Sequence, residues 1–180
     1  MTTITDLGKE KMKGESKLKA DIRHAADIDC DIIAEIYNHY VGKASMDITP
    51  KEGNYYQQWL KNRDPMEALF VAETSEKGII GWGIIKKYSE REGYRFAGET
   101  SIFLDPSARN QGFGRQMKEF LMEKCRELGY KHLVAKIWKT NEVSINYNLK
   151  LGYSIVGVQE KIGNVNGKWI DVVIMQYVFR

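Results

Sequence analysis

The residues best suited to chemistry lie in a turn that follows a strand-like run ending at Leu104. After this run, Gly112 and Gly114 open an amphipathic helix. A helix N-terminus presents backbone N–H groups that lack intrahelical partners, and its dipole favours negative charge. Glycines also let an anion approach the backbone closely. The turn therefore predicts a cradle for a phosphate or pyrophosphate, with further positive charge from Arg109 and Arg115.

The spacing distinguishes this turn from two other phosphate-binding motifs. The sequence has no GxxxxGK[ST] segment, which excludes a P-loop. It also lacks the third glycine of a dinucleotide fingerprint and the early strand–loop–helix start of that fold. For the two glycines taken alone, a plain strand-to-helix turn is the alternative.

Hydrophobic periodicity predicts the elements that must position this turn. From residue 22 the order is β-α-α-β-β-β-α-β-α-β-β, which predicts an α/β protein with a mixed sheet and helices on its faces. The second helix is predicted over 52–62 with Tyr55 turned inward. Gly129 is predicted to end the helix that follows the glycine turn. Six runs of strand length are Leu69–Glu73, Ile79–Lys86, Tyr94–Leu104, Leu133–Trp138, Tyr153–Gln159 and Trp169–Val178.

Composition indicates one ordinary globular domain. The chain has 180 residues, 43% hydrophobic residues and a net charge of +3. The sequence predicts a lysine-rich mobile tail over residues 1–21 and a nearly neutral domain over 22–180. This balance disfavours nucleic acid as a partner, and no apolar run is long enough to cross a membrane. Cys30 and Cys125 have no metal-ligand spacing, so we expect no metal, two core cysteines and a cytoplasmic protein.

The motif Arg109-x-x-Gly112-x-Gly114 after a strand resembles the acetyl-CoA signature of the GNAT acetyltransferases. The resemblance extends over residues 22–178. Within that superfamily, the chain is similar to the phosphinothricin and methionine sulfoximine acetyltransferase group. The other matching stretches are Ile22-Arg23, Ile36-Tyr37-Asn38, Ala44-Ser45-Met46-Asp47, Gly93-Tyr94-Arg95, Glu99-Thr100-Ser101-Ile102-Phe103-Leu104, Asn141-x-x-Ser144, Leu151-Gly152-Tyr153 and Gly167-Lys168-Trp169-Ile170-Asp171.

The resemblance implies that the chain transfers acetyl from acetyl-CoA to the amino group of a small molecule, an amino acid or an analogue. It implies a GNAT-like fold with splayed central strands, a homodimer and direct attack of the amine. In such a fold the backbone at the end of one central strand holds the pantetheine arm, and the glycine turn holds the pyrophosphate. The implied cofactor-binding residues are Ile102, Phe103, Leu104, Arg109, Asn110, Gln111, Gly112, Phe113, Gly114, Arg115 and Asn141.

Two residues are the candidate catalytic groups. Glu99 interrupts an apolar strand, where a carboxylate is costly unless it is used or paired, and it matches the glutamate base of the group. A solvent-facing or salt-bridged glutamate is the alternative. Asn148 stands where relatives carry a tyrosine or histidine acid. An amide can donate a hydrogen bond to sulfur but cannot give up a proton, and the neighbouring Tyr147 is turned about 100° away on a helix.

The resemblance places the acceptor pocket near Met46, Arg91, Tyr94 and Arg95. An arginine can bind a carboxylate in a bidentate manner, which suits an amino-acid substrate. Solvated charges in a polar hairpin are the alternative for Arg91 and Arg95. Asn141, assigned to the cofactor arm, can equally serve as a helix N-cap.

Two other functions stay open at the level of sequence. A CoA-binding module without catalysis is consistent with the asparagine at position 148. Acetylation of a protein amine is consistent with the cofactor signature. No Ser-His-Asp or Cys-His arrangement supports a hydrolase.

Overall fold

The first strand, β1, spans Asp21–His24 in the computed structural model, which describes residues 19–180. Residues 1–18 of the predicted tail lie outside the described residues. Ala20 is already buried, and its backbone N–H donates to the Gln116 side chain at 3.1 Å. Ala20 and Asp21, which were predicted to lie in the tail, therefore already belong to the packed domain.

The elements of residues 19–180 follow the predicted order. The first three α-helices each bury apolar side chains on one face, as the periodicity predicts, whereas the fourth buries Asn148 and packs Ile145 against the core. The α-helices are α1 (Cys30–Asn38), α2 (Gly53–Asn62), α3 (Phe113–Glu127) and α4 (Glu142–Lys150). The remaining strands are β2 (Ala68–Thr74), β3 (Gly78–Lys87), β4 (Ala97–Leu104), β5 (His132–Trp138), β6 (Ser154–Val165) and β7 (Lys168–Val178).

The seven strands form one mixed sheet in the order β1-β2-β3-β4-β5-β7-β6. All neighbours are antiparallel except β4 and β5, which run parallel. That pair is short, since only Ala97, Gly98 and Glu99 align with 132–134. Beyond Glu99 the two strands separate, which confirms the splay that the resemblance implied.

The two faces of β4 pack against different layers, because alternate side chains of a strand point to opposite sides. Ile102 and Leu104 contact the core that includes Met117 of α3. Phe103 packs instead with the core of α1, α2 and Trp82. The splayed strand thus separates an α3 face from an α1/α2 face.

Two predicted strand boundaries and one predicted inward side chain were wrong. The strand predicted from Tyr94 begins at Ala97, because Glu92–Tyr94 forms a 3-10 turn. β6 continues past its predicted end at Gln159 to Val165, and Asn166 and Gly167 make the reversal with positive φ. In α2 the buried tyrosine is Tyr56, since Tyr55 is 46% exposed.

No helix of residues 19–180 is long and apolar enough to span a bilayer.

Candidate active site

The glycine turn leaves the start of α3 open. Gly112 is the N-cap residue with φ 87°, and no side chain caps the helix. Asn110 also adopts a left-handed conformation, with φ 60°, which asparagine tolerates better than most residues. The Asp105 carboxylate accepts from the Ser107 N–H at 2.8 Å and stabilises the preceding turn. The N–H groups of the first turn of α3 are therefore not taken by a side-chain cap.

Space for an anion exists at this turn. A Cβ atom added at Gly112 would meet no atom within 4 Å, and one added at Gly114 would only touch Leu104 at 3.5 Å. The glycines are thus not needed for close packing inside the protein. Open space over uncapped N–H groups fits a pyrophosphate, as the sequence predicts.

The side chains around the turn make contacts within the protein, and their role at the cofactor stays a prediction. Arg115 pairs with Glu119 at 2.7 Å, and the Arg109 guanidinium lies 4.7 Å from the centre of the Tyr40 ring. The Gln111 amide donates to the Ser107 carbonyl at 2.7 Å. Phe113 is buried in the core, so only its backbone can face an anion. The cradle is mainly a backbone feature.

The end of the splayed strand has a partner that the sequence did not predict. The Leu104 N–H donates to the Tyr40 hydroxyl oxygen at 2.9 Å, and that hydroxyl donates to the Leu104 carbonyl at 2.7 Å. The expected exposure of the Leu104 backbone is therefore corrected. The backbone N–H and C=O of Ile102, two residues earlier, point to the gap between β4 and β5, on the same side as those of Leu104. The backbone groups of Phe103 point the other way, to β3.

The helix beyond the splay carries the two candidate asparagines. Asn141 caps α4 by accepting from the Ser144 N–H at 3.1 Å, so its predicted capping role is confirmed. Its role at the cofactor arm stays a prediction. Asn148 is buried, and its amide donates to the Ser144 carbonyl at 2.9 Å. Among the described residues, Asn148 Oδ1 has no hydrogen-bond partner.

Tyr147, the neighbour of Asn148 on α4, is half-buried. Burial raises its pKa to about 12, and its hydroxyl has no hydrogen-bond partner within residues 19–180. A raised pKa makes a phenol a weaker proton donor near neutral pH. Which of the two residues serves the leaving sulfur stays a prediction.

Glu99 lies on the α1/α2 face of β4, at the last residue before the splay. Its carboxylate accepts from Lys136 of β5 at 2.5 Å, with 26% of the glutamate side chain exposed. The salt-bridged interpretation of Glu99 is thus observed. The pair holds the carboxylate at the opening between the strands, so pairing and a role as base are compatible.

A cavity of about 130 Å³ lies on the same face of β4. Ser101, two residues after Glu99, lines it, as does Lys86, which aligns with Glu99 across β3 and β4. Asp47 is at this cavity and accepts from the Tyr37 hydroxyl at 2.5 Å. The aromatic residues of the lining are Tyr37, Tyr55, Tyr56, Trp59, Trp82 and Phe103.

The four predicted acceptor-binding residues do not line this cavity. Arg91 is exposed, and the Arg95 guanidinium lies over the Phe96 ring at 4.5 Å. Tyr94 contacts the ring of Tyr88, at a centroid distance of 5.5 Å.

Met46 packs against the β6–β7 hairpin. Its sulfur lies 2.7 Å from the position of a Cβ atom added at Gly163. Met46 therefore helps to close the region between the 43–47 loop and the hairpin without entering the cavity.

Sequence reasoning missed Tyr40, Lys86 and Lys136. Tyr40 bonds to Leu104, and Lys86 aligns with Glu99 on the neighbouring strand. Contacts between segments that are distant in sequence leave no local pattern from which they could be predicted. Lys136 interrupts a buried strand, as Glu99 does, and that pattern could have identified the ion pair.

Among residues 19–180, no cluster of His, Cys, Asp or Glu side chains could hold a metal ion.

The splayed parallel strands and the uncapped glycine turn define a transferase that binds an acyl-CoA. A model of the GNAT acetyltransferase domain matches residues 22–174. The chain therefore belongs to the GNAT acetyltransferase family.

The chain is similar to three characterised proteins. It is 30% identical to the L-methionine sulfoximine/L-methionine sulfone acetyltransferase of Pseudomonas aeruginosa, over 88% of this chain and 94% of the relative. It matches a phosphinothricin acetyltransferase of Sinorhizobium meliloti solved with acetyl-CoA (TM-score 0.84, 28% identity, covering 90% of this chain and 89% of that one). It also matches a ribosomal-protein-alanine N-acetyltransferase of Brucella melitensis (TM-score 0.83, 30% identity, 88% and 99%).

Proposed function

We propose that this acetyltransferase acetylates the amino group of a small molecule, an α-amino acid or an analogue, with Glu99 as the base. The observation that carries the proposal is the aromatic cavity on the same face of β4 as Glu99. Acetyl-CoA supplies an activated acyl carbon when bound. Its pyrophosphate is assigned to the backbone around Gly112, and its arm to the backbone of Ile102.

Glu99 has the chemistry that the acceptor needs. An amine is cationic near pH 7 and must lose a proton before it can attack. The Glu99 carboxylate accepts that proton, directly or through a water molecule. The Ile102 N–H is assigned to the thioester carbonyl, where negative charge develops. Asn148 donates a hydrogen bond at most, so the leaving sulfur takes its proton from water.

The cavity suits a small acceptor. Its volume of about 130 Å³ is close to that of a cavity that holds benzene. Lys86 is a lining cation and is the candidate partner for the carboxylate of an amino acid. Tyr55, Tyr56 and Trp59 of α2 cover the cavity, which supports a small molecule over the end of a protein chain.

Acceptor screening tests the proposal. The protein is incubated with acetyl-CoA and amino acids, phosphinothricin, methionine sulfone, or a peptide with N-terminal alanine, and release of free CoA is followed with a thiol reagent. We expect turnover on at least one small amine. Binding of CoA without any turnover would support a non-catalytic module, and turnover on the peptide alone would support a protein acetyltransferase.

We also propose that the protein is a homodimer that pairs through β6. This strand is at the edge of the sheet and is largely exposed over twelve residues. A long, apolar edge strand is a template for pairing with another chain. The exposed apolar side chains of β6 are Ile155, Val156, Val158 and Ile162, and Trp169 on the paired strand β7 is exposed as well.

Sedimentation of two variants tests the dimer. Val156→Lys is expected to shift the protein to monomer, because it places a charge on the pairing strand. Ile28→Lys changes an apolar side chain that is 87% exposed elsewhere and is expected to leave the mass unchanged. A monomeric parent protein would refute the proposal.

We further propose a cytoplasmic location. Acetyl-CoA use and two free, fully buried cysteines support a reducing compartment. Fractionation of cells that produce the protein tests this location.

A further inference from the structure

Lys118 of α3 is a lysine inside the protein core. It is 5% exposed, and its side chain lies among the apolar residues between α3 and the sheet. Lysine is almost never fully buried unless it is paired. No ion pair involves Lys118 within the described part of the chain, 19–180. Burial lowers the pKa of Lys118 to about 8.

The contacts of Lys118 place its ammonium beside the splay. Its Nζ donates to the Thr100 hydroxyl at 2.8 Å and lies 4.6 Å from the centre of the Tyr153 ring. Thr100 is the first residue of β4 after the last pair with β5. Ile102, whose N–H is assigned to the thioester carbonyl, is two residues further along the same strand.

The titratable groups that face Lys118 are Cys125 on its own helix and Tyr153. Burial raises the pKa of Cys125 to about 12 and also raises the pKa of Tyr153, so both are neutral at pH 8. Thr100 does not titrate. Lys118 is therefore a buried ammonium beside the start of the splay, and no anion pairs with it within residues 19–180.

A purely structural role does not account for an ammonium here. A buried charge without a counter-charge is costly, and an apolar side chain of similar length is often more stable at such a site. Polar or charged side chains that are unfavourable for packing are expected mainly at functional sites. Lys118 contacts Thr100, two residues before Ile102, to which the proposed function assigns the thioester carbonyl.

We propose that Lys118 is a positioning residue for acetyl transfer, which holds Thr100 at the start of the splay and presents a positive charge to the negative charge that develops at the acyl carbonyl and sulfur. The inference rests on the proposed function of the site. In the transfer, the amine nitrogen bonds to the carbonyl carbon as the carbon–sulfur bond breaks and its electron pair stays on sulfur. Lys118 accepts and donates no proton in this step.

Lys118→Met tests the inference, with Lys124→Met as the matched control. Lys124 is on the same helix but is 33% exposed and paired with Glu127. For Lys118→Met we expect about a tenfold lower kcat, a KM for acetyl-CoA within twofold, and loss of an alkaline decline in kcat that is centred near pH 8 in the parent. We also expect a higher melting temperature. Lys124→Met should keep the parent kcat and pH profile.

Two Thr100 variants keep the inference falsifiable if Lys118→Met folds poorly. Thr100→Val removes the hydroxyl and should lower kcat, whereas Thr100→Ser keeps it and should restore the parent kcat. A Lys118→Met protein that is more stable and fully active would overturn the inference. Absence of turnover in the parent protein would instead refute the proposed function, while the change in melting temperature would still be measurable.

Discussion

The two faces of β4 handle buried charge in opposite ways. On the α1/α2 face, Glu99 is partly exposed and is paired with Lys136. On the α3 face, Lys118 is buried and bonds only to neutral groups among the described residues. The ion pair of Glu99 holds a carboxylate in place with little loss of folding stability. The second arrangement retains a cation at a cost to stability, and such a cost indicates a site where function opposes packing.

Removal of the carboxylate on the acceptor face should have the largest effect. Glu99→Gln is expected to lower kcat by about 10²–10³-fold, because an amide cannot accept the proton of the amine. Binding of acetyl-CoA, measured by calorimetry, should stay unchanged. Glu73→Gln is the matched control, since Glu73 is also an ion-paired carboxylate on a strand of this sheet. Equal losses in both variants would contradict the assignment of the base.

Stability measurements should separate the two faces further. The unfolded chain holds the Lys118 proton up to pH 10.5, whereas the folded protein loses it near pH 8. Burial of the charged form therefore destabilises the folded state fully below pH 8, and this penalty shrinks as pH rises from 8 to 10.5. Lys118→Met should raise the free energy of unfolding by about 1–3 kcal/mol at pH 7 and by less at pH 10. A gain that is constant across this range in urea unfolding would contradict the buried charge.

The anion cradle can be tested with two glycines of the same helix. Gly112→Ala should weaken acetyl-CoA binding about tenfold, because a Cβ atom enters the space assigned to the pyrophosphate. Gly129→Ala is the matched control at the other end of α3. Both glycines have φ +87° and open space at the Cβ position, so backbone strain is similar in the two variants. A similar loss of affinity in both would assign the effect to strain.

The smallest effect is expected deep in the acceptor face. Trp82 is 2% exposed, and its ring N–H has no partner among the described residues. Trp82→Phe keeps an aromatic ring and removes this donor. We expect a rise of about threefold in KM for an acceptor whose side chain carries an oxygen, with KM for acetyl-CoA unchanged. An unchanged KM for every acceptor would show that the donor does not select substrates.

The order of elements and the glycine turn could be predicted from the sequence, because both depend on local patterns. Gly112 and Gly129 at the ends of α3 are local signals of this kind, and both adopt a positive φ. Glu99 was also recognisable, as a carboxylate within an apolar strand.

The missed residues depend on contacts between distant segments. Tyr40 reaches Leu104 across 64 positions, and Lys136 reaches Glu99 across 37. Lys118 is buried on α3 together with Met117 and Leu121, although lysine is a residue type that is mostly exposed. Arg91 and Arg95 do not line the cavity, and the strand predicted from Tyr94 starts three residues later, at Ala97; their role in acceptor binding stays a prediction.

The short pairing between β4 and β5 affects how the sheet opens. Three aligned residues on each of these strands join a four-stranded half of the sheet to a three-stranded half. Local opening should therefore begin here, and the amide hydrogens of 100–104 that face the gap should exchange with solvent faster than those of β2. A ligand that binds in the gap would contact both halves of the sheet and hold them together. Its binding should therefore slow deuterium uptake in both β4 and β5 beside the gap, even where no side chain moves.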